Sequence, residues 1–417
     1  VKSLAIIGTG IAGMACGYHL SRRFDLTVYE KNGYIGGHTH TVEVPEQNRQ
    51  IPIDTGFIVY NETNYPELTR LFAELKVPTQ ATEMSFSVQH QPTGLEFCGT
   101  GWSGLFAQRK NIFNGSFWTL LKEIDRFNRE APEVLTHERY ADSTLGEYAA
   151  EKKFSVEFLE RYLIPMSSAV WSTPPDAMLR FPVVALVRFF KNHAFLGLHG
   201  QHAWRTVTGG SWQYRDRLIA DFRDRVHTAR PSVRVERHGE GVRITDAGGT
   251  TKEFDAVIIA AHADEALGLL AQPTPQEAQL LGAFGYQPNS VVLHTDERVM
   301  PRTRRAWSAW NYRYGANAQG VPQASTVYWM NRLQRVSQKK NYFVSVNDAG
   351  QIAPEHRLQE FTYEHPIFSV QAMRAQNQLP SLNIKGPIFF CGSYFRYGFH
   401  EDALASALQV VRRMENL

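Results

Sequence analysis

Leu4-Ala-Ile-Ile-Gly-Thr-Gly-Ile-Ala-Gly13, near the start of a 417-residue chain, decides the fold. The apolar run Leu4 to Ile7 stops at Gly8, Gly10 and Gly13 complete a G-x-G-x-x-G spacing, and the helical stretch Met14 to Arg23 follows. A second apolar run, Leu26-Thr-Val-Tyr29, ends in Glu30. Strand, glycine turn, helix and strand in that order predict a buried parallel sheet with a dinucleotide site at its edge. Gly8 allows the tight turn, Gly10 lets backbone approach a pyrophosphate, and Gly13 lets the helix pack closely on the sheet. Ile11 and Ala12 open the helix, whose unpaired N–H groups and positive end face the phosphates. Glu30 is placed to accept hydrogen bonds from ribose hydroxyls, which argues against a 2′-phosphate, and Lys31 follows it.

NAD and FAD share this fingerprint, and later segments separate them. After Glu30 the chain reads Lys31-Asn-Gly-Tyr-Ile-Gly-Gly-His-Thr-His-Thr41, then Ile53-Asp-Thr-Gly-Phe57. Near the other end, Pro387-Ile-Phe-Phe-Cys-Gly-Ser393 leads to His400-Glu-Asp-Ala-Leu-Ala-Ser406, a second strand-glycine-helix pattern. In these segments the chain resembles the flavin-containing amine oxidase and phytoene desaturase superfamily. The resemblance implies noncovalent FAD. It carries cofactor contacts to Gly36, Gly37, His38 and Thr39, to Thr55, Gly56 and Phe57, and to Gly392 and Ser393. Asp402 and Ala403 open a helix whose N-terminus would face the flavin and stabilise its reduced anion. Ser232 and Val233 fall where the family passes backbone over the adenine. His38 stands in place of the family's usual arginine, and Ser393 in place of its usual acid. No attachment motif surrounds Cys391, His38 or His40.

The implied fold class is α/β: a Rossmann-like FAD-binding domain whose central parallel sheet is discontinuous in sequence, with an interleaved α+β substrate domain. The boundaries read as 1–80, 204–275 and 376–417 for the FAD-binding domain, and 81–203 and 276–375 for the substrate domain. No repeat or flexible linker separates them. Length alone implies two or three domains.

With 43% hydrophobic and 20% charged residues the chain is an ordinary globular protein, outside the disordered class. A net charge of +3 gives no argument for nucleic acid. Three isolated cysteines, Cys16, Cys98 and Cys391, show no metal-ligand spacing and read as buried thiols in a reducing compartment. Neither a leader pattern nor a run of about 18 apolar residues is visible, so the expected location is cytoplasmic, with attachment to the inner face of the membrane left open. There is no H-x-x-x-H pair, G-x-S-x-G elbow, P-loop or second G-x-G-x-x-G, which removes the usual supports for metal, hydrolase, nucleotidyl and NADPH-reductase chemistry.

Gly36-Gly-His-Thr-His-Thr41, Leu293-His-Thr-Asp296, Trp307-Ser-Ala-Trp-Asn-Tyr312, Tyr328-Trp-Met-Asn331 and His365-Pro366 resemble a bacterial subgroup of the superfamily. Its members are associated with cyclopropane-forming methyltransferases that act on phospholipid acyl chains. The resemblance implies dehydrogenation of a fatty-acyl or other lipid-like chain. The alternatives are a flavin amine oxidase and a non-catalytic flavin-binding partner of a lipid methyltransferase. Tyr60, His193, His400 and Glu401 are the candidate bases because their segments lie near the expected flavin or substrate slot. His294, Asp296 and His365 form a catalytic set only on paper. The aromatics at 307, 310, 312, 328 and 329 fit either an apolar tunnel or plain core. In the segment 178–196, Val183, Leu186, Val187 and Phe190 recur at helical spacing with Arg188 and Lys191 elsewhere on the helix. That pattern suits a phospholipid interface and a core helix equally.

Overall fold

The computed structural model describes residues 2–197, 202–316, 320, 322–348 and 350–415. Five parallel strands form the first sheet: β1 (Ser3–Ile7), β2 (Asp25–Tyr29), β3 (Val226–His227), β4 (Ala256–Ile259) and β5 (Ile388–Phe390), in the spatial order β3-β2-β1-β4-β5. The five longest helices among the described residues are α1 (Ile11–Leu20), α2 (Pro66–Glu74), α3 (Gly115–Glu130), α4 (Val183–Asn192) and α5 (His400–Met414).

The strands are continuous apolar runs because both faces of the sheet are covered. Successive side chains point to opposite faces. Leu4 and Ile6 therefore join a core with α1 and α5, while Ala5 and Ile7 pack under the three-stranded antiparallel sheet Ser232–His238, Gly241–Asp246 and Thr251–Phe254. The apolar stretch 254–261 is divided between two sheets. Asp255 accepts hydrogen bonds from Ser3 N (2.6 Å) and Ser3 Oγ (2.8 Å), and at that point the chain leaves the antiparallel sheet for the parallel one.

The second layer is a seven-stranded mixed sheet, in the order 357–367, 285–294, 343–346, 322–329, 310–316, 86–90 and 95–98. Its one parallel pairing joins Trp310–Ala316 to Phe86–His90. The helices between residues 101 and 192 add a separate aromatic core beside it.

The structure resolves the two readings of the 178–196 segment. Val183, Leu186, Val187 and Phe190 on α4 are buried in that core, and Arg188 and Lys191 face solvent. An apolar face already covered by protein has nothing left to bury in lipid, so the interface reading of this helix is corrected to a core helix. No helix among the described residues is long and apolar enough to cross a membrane.

Candidate functional site

A cavity of 720 Å3 runs from the N-terminus of α1 to the mixed sheet. Its two ends differ in chemistry. At the α1 end the first turn follows Gly10, which supplies no side-chain cap, so the leading amides stay free for an anion. A Cβ on Gly10 would meet no protein atom within 4 Å, leaving that backbone open to close approach. Gly8 holds a left-handed φ of +101°, and a Cβ there would lie 2.5 Å from the Ala260 carbonyl oxygen. The floor therefore consists of bare backbone at the point where phosphate is expected.

Glu30 lines this end and is pre-oriented. It accepts hydrogen bonds from Thr9 N (2.9 Å), Thr9 Oγ1 (2.6 Å) and Asn32 N (2.7 Å). Lys31 pairs with Glu265. His38 lies among other imidazoles, with ring centroids 5.3 Å from His365 and 6.4 Å from His262. Burial holds His38 well below the usual histidine range, and burial takes His365 down to about 4, so both are neutral and can donate or accept.

Five buried polar atoms without a hydrogen-bond partner belong to lining residues: His38 Nε2, Ser232 Oγ, His262 Nδ1, Trp310 Nε1 and Tyr394 Oη. Buried polar groups are ordinarily satisfied, so a cluster of orphans around one cavity marks the place of a polar ligand. A flavin dinucleotide, with a diphosphate, two sugar-like chains and a heteroaromatic ring, fits this donor and acceptor set. The Cys391 thiol is hydrogen-bonded to Cys16 in the core, which with burial raises it well above the usual thiol range, and it does not line the cavity.

The other end is aromatic. Phe189 stacks on His193 at 3.8 Å and on Phe399 at 4.9 Å, with Trp171 4.8 Å from Phe189 and Trp204 6.2 Å from His193. Trp310 and Tyr328 close the side formed by the mixed sheet. The four charged lining residues, Glu30, Lys31, Glu265 and Glu364, all belong to the α1 end. His193 is the titratable lining group between the aromatics of α4 and Phe399. Its Nδ1 is 3.0 Å from the Phe189 carbonyl oxygen and must carry the proton there, which leaves Nε2 as a free acceptor. Burial lowers His193 to about 4.

His400 lies where the two ends meet. It stacks on Phe57 at 4.0 Å, and its Nε2 is 2.9 Å from Tyr214 Oη and 3.2 Å from Thr39 Oγ1. Burial lowers it to about 3. Its Nε2 is thereby engaged, and the stacked ring forms part of the wall.

Of the residues singled out from sequence, Gly8, Gly10, Ile11, Ala12, Glu30, Lys31, Gly37, His38, Gly56, Phe57, Ser232, Gly392, Ser393, Ala403, His193 and His400 line the cavity. Gly13, Gly36, Thr39 and Thr55 stand behind the lining, Thr39 bonded to Tyr214 and Thr55 to Tyr363 (2.7 Å). Val233 is half exposed outside it. Asp402 caps its own helix, accepting from Phe399 N (3.0 Å) and Tyr397 N (3.2 Å). Two candidate bases are corrected. The Glu401 carboxylate accepts from Glu67 N (2.9 Å) and Leu68 N (3.0 Å), capping α2, and both its oxygens are thereby used away from the cavity. Tyr60 packs edge-on against Tyr65 and Phe72 behind the wall. His294 and Asp296 adjoin each other, with Asp296 paired to Arg298, whereas His365 lies at the far end of the same strand pair against His38. Trp310 and Tyr328 line the cavity. Tyr312 is core, and Trp307 and Trp329 pack on one another.

Asp54 was not legible from spacing. Fully buried, it accepts from Thr41 Oγ1 (2.5 Å), Ser211 N (2.9 Å), Ser211 Oγ (2.8 Å) and Gln334 Nε2 (2.6 Å), joining three distant segments behind Gly56 and Phe57. Burial raises it to about 6 against the pull of those donors.

The family model described as flavin containing amine oxidoreductase matches residues 11–414. In sequence the chain is similar to 1-hydroxycarotenoid 3,4-desaturase of Flavobacterium sp. (strain P99-3), 24% identical over 192 residues, which is 45% of this chain and 34% of that protein. The match thus spans about a third of that curated relative's length. In fold it is similar to wild-type putrescine oxidase bound to putrescine, with a TM-score of 0.72 and 14% identity over 100% of this chain and 99% of that one. It is also similar to cyclohexylamine oxidase from Brevibacterium oxydans IH-35A, with a TM-score of 0.67 and 15% identity over 99% of each chain. A CLA-producing fatty acid isomerase from P. acnes gives 0.65 and 14% identity over 99% of this chain and 98% of that one.

Proposed function

The chain belongs to the flavin containing amine oxidoreductase family and takes FAD as its cofactor, and on that premise we propose that it desaturates a neutral, lipid-like chain. The observation that carries this reading is the absence, among the described residues, of any charged side chain lining the aromatic end of the cavity. A protonated amine placed there would lose its hydration with no counter-charge to replace it, whereas an acyl chain loses nothing. Trp171, Phe189, Trp204 and Phe399 form a slot that excludes water and holds a flexible chain in one direction.

Desaturation removes two hydrogens from adjacent carbons, one as hydride and one as a proton. Bound FAD would supply the hydride acceptor, taking up both electrons with the hydride. His193 Nε2 accepts the proton, and the Phe189 carbonyl holds the ring in the tautomer that makes this nitrogen the acceptor. His400 and Phe57, stacked face to face, wall the junction between the two ends.

The test is anaerobic mixing of the holoprotein with an unsaturated phospholipid, a free fatty acid or a panel of amines while the oxidised flavin absorbance is followed. Bleaching by a lipid and not by amines is the expected result. Bleaching by amines alone overturns the reading in favour of amine oxidation, and bleaching by none of them favours a flavin-binding partner of a lipid methyltransferase.

A further inference from the structure

Of the eight exposed large apolar side chains among the described residues, four fall in one stretch: Trp102 (70% exposed), Ile112 (42%), Phe113 (91%) and Trp118 (38%). They form one surface. Phe106 stacks on Trp102 at 6.1 Å and meets Trp118 at 5.3 Å, and Trp118 Nε1 donates to the Ile112 carbonyl oxygen at 2.8 Å. This surface belongs to the turn of helix Gly101–Leu105, the 3-10 turn Arg109–Phe113 and the start of α3, well apart in sequence from α4.

The charge along this stretch has one sign. No aspartate or glutamate occurs from Gly99 through Lys122, whereas Arg109, Lys110 and Lys122 do, all exposed and without a carboxylate partner. The turn Arg304–Ala306 packs against the same short helix, where Cys98 Sγ donates to the Arg305 carbonyl oxygen at 3.7 Å, and exposed Arg302 and Arg305 extend the basic rim.

We propose that Trp102, Ile112, Phe113 and Trp118 with Arg109 and Lys110 form a docking surface for an anionic phospholipid bilayer. Two indoles and a phenyl ring beside unpaired bases are the combination that enters the interface while the cations meet headgroup phosphates. Phe113 projects almost free of protein contact, as a side chain that inserts into a fluid layer does. The Trp118 N–H carries its hydrogen bond with it and enters without an unsatisfied donor. The cores of protein interfaces are, by contrast, depleted of lysine. This docking surface is independent of the substrate assignment, so either can fail alone.

The experiment is co-sedimentation of the FAD-loaded protein with vesicles of phosphatidylcholine, or of phosphatidylcholine mixed with phosphatidylglycerol, at low salt. The wild type is expected to pellet with the mixed vesicles and to be released by high salt. The Trp102→Ser, Phe113→Ser double variant and the Arg109→Glu, Lys110→Glu double variant should each bind about tenfold more weakly or worse. The Arg188→Glu, Lys191→Glu variant on the opposite class of surface, a core helix, should bind as wild type. All altered side chains are exposed, so an unchanged melting temperature and flavin spectrum confirm folding. Wild type remaining in the supernatant, or Trp102→Ser, Phe113→Ser pelleting undiminished, overturns the proposal. So does a self-association seen by sedimentation equilibrium that the same double variant abolishes while vesicles bind nothing.

Discussion

His193 and Phe189 face each other twice, ring on ring at 3.8 Å and Nδ1 to carbonyl oxygen at 3.0 Å. The two contacts fix both the plane and the tautomer of the imidazole, so α4 sets which nitrogen stays free before any substrate arrives. His193→Phe is expected to slow anaerobic flavin reduction by about a hundredfold to ten-thousandfold, with flavin content unchanged. A variant that bleaches at the wild-type rate removes His193 from the reaction. Since burial holds the ring near 4, it is neutral and able to accept above that value. The reduction rate should therefore be flat toward neutrality and fall as pH drops through about 4.

The glycine turn offers a pair of substitutions with opposite signatures. Gly10→Ala adds a Cβ that meets no protein atom within 4 Å, so the melting temperature of the apoprotein should not move while FAD occupancy drops. Gly56→Ala places a Cβ 2.2 Å from the His38 carbonyl oxygen, a backbone atom that cannot recede. It should cost about 1–3 kcal/mol of stability whether or not FAD is present. Thermal melts of both variants with and without FAD check the contrast.

Glu401 acts on stability. Glu401→Ala removes the carboxylate that caps the first amides of α2 and should cost about 1–2 kcal/mol. A denaturant melt measures this, and the flavin reduction rate should stay within about twofold of wild type. A large rate loss in a well-folded variant would return Glu401 to the list of bases.

Acid should destabilise the protein from about pH 6.5 down to about 4. His193 and His365 are lowered to about 4 and His294 and His400 to about 3, all by burial, so the unfolded chain takes up their protons first as pH falls. Each contributes stability that is present above the unfolded value and lost below it, by up to about 1.4 kcal/mol per pH unit. Asp54 and Asp402, raised by burial to about 6 and about 7, act in the opposite sense. There the folded protein holds the extra proton, and stability falls as pH rises from about 4 toward those values. The histidines outnumber the carboxylates, so the melting temperature should rise between pH 4 and 6.5. A flat profile would mean that these imidazoles are solvated.

The parallel sheet and the α1 turn were legible because a short apolar strand, three spaced glycines and an acid at the next strand end are all local features. Helix ends were harder. α5 begins at His400 and not at Asp402, because the Asp402 carboxylate reaches back to Phe399 N and Tyr397 N, a geometry that spacing does not display. Glu401 was misread for a similar reason. Its partners, Glu67 and Leu68, are more than three hundred residues away, and an acid beside a flavin motif reads the same in sequence whether it caps a helix or abstracts a proton. Asp54 is the extreme case, since its meaning lies wholly in Thr41, Ser211 and Gln334. His193 was visible as a candidate, but its distinction from Tyr60 needed the cavity wall.

β1 lies between β2 and β4, and β5 closes the far edge of the sheet by pairing with β4. During translation β1 therefore waits for β4, one of its two neighbours. That neighbour is more than two hundred residues further along the chain, and the strand and helix that complete the floor of the site are further still. Until residue 388 has been added, the sheet lacks its edge strand and the face of Leu4 and Ile6 lacks α5. The sheet that holds the cofactor is thus built from pairings of high sequence separation, which form late and slowly.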